Sequence, residues 1–262
     1  MKKTDKKILF VLLISIGCNV ISLFIFDKML HYREVVRYID ASFPNEGVRL
    51  VSSADLHSAN IENLGVFVGG NLPRYWFFPA DFPYHIANRS GVEETMTDTL
   101  KRFEETVIRA GADFVIINAG FCNLVTAVRQ GRAPEPVIEE NFRIIKEIAE
   151  IARQNNIVPI LSTLPPVRPR FLLPHLKMLT YSAKHKAGEN KAIAQFNTLV
   201  QKYCEENRLF YIDFHKALSD EKGQLIREYS VTDGEHLNQE GYMYLSGFLK
   251  SELDRIFKER NQ

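Results

Sequence analysis

Apolar and polar positions follow two rhythms along this chain. Short, nearly continuous apolar runs occur at Val66–Val68, Tyr84–Ala87, residues 113–120 ("DFVIINAG"), 157–166 ("IVPILSTLPP") and 209–214 ("LFYIDF"). Between and after them, apolar residues recur at helical spacing: Met96, Leu100, Phe103 and Val107; then Ile138, Phe142, Ile145 and Ala152. The same spacing holds for Ile193, Phe196, Val200 and Tyr203, and for Tyr242, Leu245, Leu249, Leu253 and Ile256. The runs predict buried strands and the spaced sets predict amphipathic helices. Strands alternating with helices predict an α/β fold, a parallel sheet covered by helices on both faces. In such sheets ligands bind beyond the carboxyl ends of the strands, so the loops following the strands are where chemistry is expected.

One segment stands outside this pattern. "ILFVLLISIGCNVISLFIF", residues 8–26, is 19 residues without a charge, and it follows "MKKTDKK", with four lysines and one aspartate. As a helix it spans roughly 28 Å, close to the hydrocarbon thickness of a bilayer. The stretch Asp27 to Asp40 holds three basic and three acidic residues, so the basic excess lies before the span. The positive-inside rule then predicts a cytoplasmic tail (1–7), a transmembrane signal anchor (8–26), a stalk (27–60) and an extracytoplasmic domain (61–262), periplasmic or extracellular. Two rival readings are a cleaved signal peptide and a lipoprotein site at Cys18. The first lacks a small-residue cleavage site, and in the second the apolar run continues past the cysteine.

Composition narrows the classes. With 45% hydrophobic and 25% charged residues the 262-residue chain has the make-up of a globular protein, and a net charge of +1 argues against nucleic-acid binding. Cys122 and Cys204 make no disulfide framework, and Cys204 falls on the apolar face of a predicted helix. His57, His85, His175 and His185 show no metal-ligand spacing, and "GVFVGG" is not a dinucleotide fingerprint, so no metal or cofactor is expected.

The strongest chemical signal is "VTDGEHLNQEGY", residues 231–242. Asp233 and His236 sit three apart in a loop before the last helix, where the carboxylate can orient the imidazole as a general base. On spacing alone an incidental surface pair is an equal reading. The wider context is that "DGEHLNQEGY" resembles the carboxyl-terminal signature of the SGNH (GDSL-type) hydrolases. "STLPP", "ENKAIAQFNTLV" with "FYIDF", "GVFVGGNLPRYW", "YHIANRSGVEET" and "FVIINAGFCNLV" resemble the family's other blocks, covering roughly residues 64–255.

That resemblance implies a flavodoxin-like three-layer sandwich and hydrolysis of esters or thioesters, including acetyl groups on carbohydrates. Carried over by position, it assigns Asp233 and His236 as catalytic. It also places Asn71 where the family has its nucleophilic serine. A neutral carboxamide is a poor nucleophile. For the oxyanion hole it offers Glu93 by gapless matching or Gly91 with a shortened turn. Cys122 or Asn123 would supply the next donor, depending on the loop. Ser90-x-x-Glu93 also reads as a capping box for the helix that follows. Arg74, Trp76, Arg168 and Arg170 are expected near the strand ends, where they would grip an anionic or sugar substrate; ordinary surface arginines and a packing tryptophan are at least an equal reading.

Three functional readings therefore stand. The first is a degenerate esterase scaffold that keeps a cleft for a carbohydrate or acyl ligand. The second is an active hydrolase in which His236 and Asp233 work through water or Cys122. The third is a partner of a membrane acyltransferase that modifies an envelope polysaccharide.

Overall fold

The computed structural model describes residues 61–76, 78, 82–169, 182–231 and 233–260, together with four isolated helical positions, 15, 19, 21 and 22. The rest of the expected membrane span, the stalk and Arg170 lie outside the described residues. Among those described, no helix is long and apolar enough to cross a membrane.

Five strands form one wholly parallel sheet: β1 (Gly65–Gly69), β2 (Ile86–Asn88), β3 (Phe114–Asn118), β4 (Val158–Ser162) and β5 (Phe210–Ile212). Their order across the sheet is β2-β1-β3-β4-β5. The helices are α1 (Asn71–Arg74), α2 (Met96–Phe103), α3 (Phe121–Arg129), α4 (Glu135–Gln154), α5 (Ser182–Asn207), α6 (Phe214–Leu218) and α7 (Gln239–Arg260). From β1 the chain steps outward to β2 and then back across to β3. The loops after β1 and β3 therefore diverge and open a crevice between them.

The apolar runs are buried because the sheet has helices on both faces. Val66, Val68, Val115, Ile117 and Leu161 point into one core with residues of α2, α3, α4 and α5. Phe67, Phe114, Ile116, Ile160 and Ile212 point into the other, against α6, α7 and Trp76. Each fully buried side chain of this size contributes about 1.5–3 kcal/mol of transfer free energy. Cys204 belongs to the first core, and burial pushes its thiol up to about 12, as its place on an apolar helix face implied.

The second strand is shifted from its expected position. Tyr84 lies before β2, and its hydroxyl donates to Asp254 on α7 at 2.6 Å, so the aromatic residue packs sideways rather than pairing. Three helices had no counterpart in the expected pattern, the four-residue α1, the nine-residue α3 and the five-residue α6. Helix α2 is capped by Thr95, whose hydroxyl accepts from the Asp98 N–H while Asp98 reaches back to the Thr95 N–H. The expected capping box of Ser90 and Glu93 does not form. Ser90 instead donates to the Phe67 carbonyl at 3.2 Å, and Glu93 precedes the cap with φ 51°.

Gly69 ends β1 with φ +144°, and a Cβ built there would lie 1.9 Å from the Asn118 carbonyl oxygen. Gly69→Ala combines a backbone conformation that L-residues avoid with a backbone overlap. It is expected to cost about 3 kcal/mol or more, read as a lowered urea midpoint. A change of less than about 1 kcal/mol would show that the β1–β3 junction is looser than described.

Candidate active site

A row of hydrogen bonds ties the strand ends together. The Gly91 N–H donates to the Gly69 carbonyl at 3.0 Å, and the Gly70 N–H donates to the Asn118 carbonyl at 3.2 Å. Asn118 in turn donates through Nδ2 to Ser162 Oγ (2.8 Å) and to the Thr163 carbonyl (3.1 Å). Thr163 donates to Asp213 Oδ1 at 2.9 Å, which reaches the end of β5. Asn71 follows Gly70 and opens α1 at this rim.

The Asp233–His236 pair forms as the spacing suggested. His236 Nδ1 lies 2.6 Å from Asp233 Oδ2, while Asp233 Oδ1 accepts the N–H groups of Glu235 (2.8 Å) and His236 (3.0 Å). One carboxylate thus fixes both the ring and the backbone that carries it. The loop is pinned on its other side by an Arg168 N–H to Gly234 carbonyl bond of 2.8 Å. Gly234 is required there: at φ +71°, an added Cβ would sit 2.2 Å from the Arg168 carbonyl. The Tyr75 ring meets the imidazole edge-on, with 5.9 Å between centroids.

Burial by itself would raise the Asp233 carboxyl. The hydrogen bond and positive charge of His236 outweigh it, aided by the two backbone N–H groups, and hold it down at about 2. For His236, burial disfavours the charged form, but the hydrogen bond and charge of Asp233 win and raise it above its ordinary 6.5. The second nitrogen, Nε2, is the one that an oriented base presents to a reacting proton.

The pair faces a cleft of about 760 Å³. Its opposite wall is α3, which contributes Phe121, Cys122, Asn123, Thr126 and Arg129, with Arg132 beyond the helix end and Glu93 from the loop after β2. Cys122 lies close to the strand end, since a Cβ on Gly70 would be 3.6 Å from its Sγ. Asn123 Oδ1 accepts the Met96 N–H at 3.2 Å, so the carboxamide is held by the start of α2, with Nδ2 as its donor end. The cleft thus brings together His236, Asp233, Cys122 and Asn123.

Several expected positions are corrected. Gly91 is not an oxyanion donor, because its N–H is spent on the Gly69 carbonyl. Glu93, at φ 51°, has the left-handed backbone that favours glycine. Trp76 is 1% exposed, donates from Nε1 to Ser246 Oγ at 2.9 Å and packs among Phe67, Phe214 and Tyr242. It is a core residue on the far face of the sheet. Arg168 donates from Nη1 to the Leu225 carbonyl at 2.9 Å, and its backbone N–H braces the histidine loop at Gly234. Arg74 closes α1, and none of these three lines the cleft. Among the described residues, Arg129 and Arg132 are the arginines that do. The signal for Arg129 was the helical spacing of Cys122, Thr126 and Arg129 directly after a strand.

Among the described residues no group of three or more His, Cys, Asp or Glu side chains is arranged to hold a metal ion. Residues 68–244 match the GDSL-like Lipase/Acylhydrolase family. Comparison with curated protein sequences finds no match. Among solved structures, a GDSL-like lipase from Bacteroides thetaiotaomicron superposes with a TM-score of 0.60 at 22% identity, covering 86% of this chain and 98% of that one. A lipase/acylhydrolase from Enterococcus faecalis gives 0.50 at 17% identity, over 73% and 95% of the two chains. A catalytic mutant of an acetylxylan esterase from Geobacillus stearothermophilus gives 0.53 at 16%, over 73% and 94%. At these identities the likeness to solved structures establishes the fold.

The pair has two linkage consequences of opposite sign. His236, raised above 6.5, adds stability that is fully present below pH 6.5 and is lost as pH climbs through its folded pKa. Asp233, lowered from 3.8 to about 2, adds stability that is present above 3.8 and is lost as pH falls toward 2. Urea unfolding measured from pH 2 to pH 9 should show both limbs, and Asp233→Asn should flatten them. Identical pH profiles for the two proteins would contradict the pairing.

Proposed function

The chain belongs to the GDSL-like lipase/acylhydrolase family, and from that premise we propose that it is an acylhydrolase scaffold with little or no serine-esterase turnover. It keeps its cleft for an O-acylated ligand, an acetylated carbohydrate being the class favoured by the fold it shares with acetylxylan esterases. The observation that carries this reading is the mismatch at one rim. The acid–base pair is fully assembled, while the position that opens α1, where the family has its serine, is Asn71.

The chemistry follows from that mismatch. Acyl transfer by this family's machinery needs a hydroxyl whose proton passes to the imidazole as its oxygen attacks the carbonyl. A carboxamide nitrogen is delocalised into its own carbonyl and offers no comparable nucleophile. The oxyanion side agrees. A carboxylate at Glu93 adds negative charge beside the place where negative charge would develop. What remains is a concave site with an imidazolium-prone histidine, two arginines on the wall and an asparagine donor, suited to holding oxygen-rich ligands.

A second reading rests on Cys122. Its place on the cleft wall beside Gly70 and opposite His236 would let a thiolate act where the serine is missing. Membrane attachment through residues 8–26, with the domain outside the cytoplasm, is part of the proposal on the sequence pattern. Partnership with a membrane acyltransferase would follow from such attachment.

Three outcomes are expected. The unmodified protein should release no acetate from an aryl acetate or from acetylated xylan above the uncatalysed rate, while Asn71→Ser should turn over. Adding His236→Ala to that variant should abolish the gain, by roughly two to four orders of magnitude. Glu93→Gly in the Asn71→Ser background should raise the rate further, since it removes the carboxylate and suits the left-handed backbone. Turnover by the unmodified protein that disappears with Cys122→Ala would instead establish the second reading.

A further inference from the structure

Four charged side chains from three separate elements close a ring beneath the histidine loop. Arg129 on α3 donates from Nε to Glu189 Oε1 at 2.9 Å, and its Nη2 lies 2.6 Å from Glu235 Oε1. Lys186 on α5 contacts Glu189 Oε2 at 3.0 Å and also pairs with Glu235 Oε1. The charges alternate around the ring and sum to zero. Glu189 and Lys186 are buried at 1% and 7% side-chain exposure, and Glu235 is at 18%.

Such a ring is a poor source of net stability, because desolvating four charges offsets most of their attraction. Its geometry suggests a different use. Glu235 immediately precedes His236, and its own N–H donates to the Asp233 carboxylate that orients the imidazole. The loop has backbone anchors at Gly234, at the Ser230–Leu237 bridge and at the His236 carbonyl, which accepts the Val231 N–H at 3.0 Å. On the Glu235 side the described anchors are side-chain ion pairs to α3 and α5. A shift of Glu235 would carry the His236 backbone with it and misdirect the ring relative to the strand ends.

We propose that the Arg129–Glu189–Lys186–Glu235 ring is the positioning device of His236, locking its loop to α3, the wall of the cleft, and to α5. The inference rests on His236 being the base of the site. Glu235, Lys186, Glu189 and Arg129 are positioning residues in this scheme, and Arg129 joins the two sides of the cleft. The charged groups facing His236 are Asp233 and Glu235 from its own loop, Lys186 from α5, Arg129 from α3 and Glu93 across the cleft.

The test uses the full chain and no turnover, so it can fail independently of the Asn71→Ser experiment. Amide hydrogen exchange at His236 and NMR titration of its ring would be followed in the unmodified protein, Glu235→Gln, Glu189→Gln, Lys186→Arg and Arg143→Gln. Arg143 is the control, an exposed ion-paired arginine on α4 bonded to Glu140 and Glu147. Glu235→Gln should speed exchange of the His236 amide roughly tenfold or more and lower the imidazole pKa, as Lys186 and Arg129 lose their partner. Glu189→Gln, which does not touch the loop, should also speed that exchange, while Lys186→Arg and Arg143→Gln leave it unchanged. If Glu235→Gln fails to fold, Glu189→Gln alone decides the matter. Unaltered exchange at His236 in Glu189→Gln, or an equal change in Arg143→Gln, would overturn the proposal.

Discussion

The site hangs from one transverse chain of hydrogen bonds at the carboxyl ends of the strands. Gly91 to Gly69, Gly70 to Asn118, Asn118 to Ser162 and Thr163, and Thr163 to Asp213 link the loop after β2 to the end of β5. The side chains of Asn118 and Thr163 in this row are buried, where an unmet polar group is costly. The seam fixes the height at which α1 and α3 begin. Residue 71 and the cleft wall of Cys122 and Asn123 are thus placed by the same bonds that finish the sheet.

Against this rim the histidine loop is held from several directions. Backbone pairing to Arg168 secures Gly234, Asp233 braces the ring and two amides, and ion pairs tie Glu235 to α3 and α5. Such preorganisation is what general-base chemistry requires, and it persists although the partner position is Asn71. On the proposed reading three departures from the family pattern act together: Asn71 would remove the nucleophile, Glu93 would bring a negative charge, and the donor would be weak if Cys122 rather than Asn123 supplies it.

Much of this was legible from the chain. Val66–Val68, residues 113–120 and 157–166 gave strands, because buried parallel strands read as continuous apolar runs. Asp233 and His236 were legible because their interaction is local, three residues apart. Helix α3 was not, since Gly120 at φ +98° starts it within one residue of the strand exit and the apolar run continues into it. Trp76 follows α1, which turns the chain toward α7, so the indole packs in the core and bonds Ser246 rather than standing at the strand ends. The ring of Arg129, Lys186, Glu189 and Glu235 joins residues up to 106 positions apart, as 235 is from 129, and no spacing rule reaches that far.

The central claim is that the cleft retains an oriented base and lacks an acylable nucleophile. Intact-mass spectrometry of the unmodified protein after exposure to a fluorophosphonate and to an activated aryl acetate tests it most directly. The account predicts no stable adduct at the cleft with either reagent, while Asn71→Ser gains one fluorophosphonate group at residue 71 that is lost again with His236→Ala. A stoichiometric adduct on the unmodified protein, mapped by peptide digestion to Cys122 or another cleft residue, would contradict it.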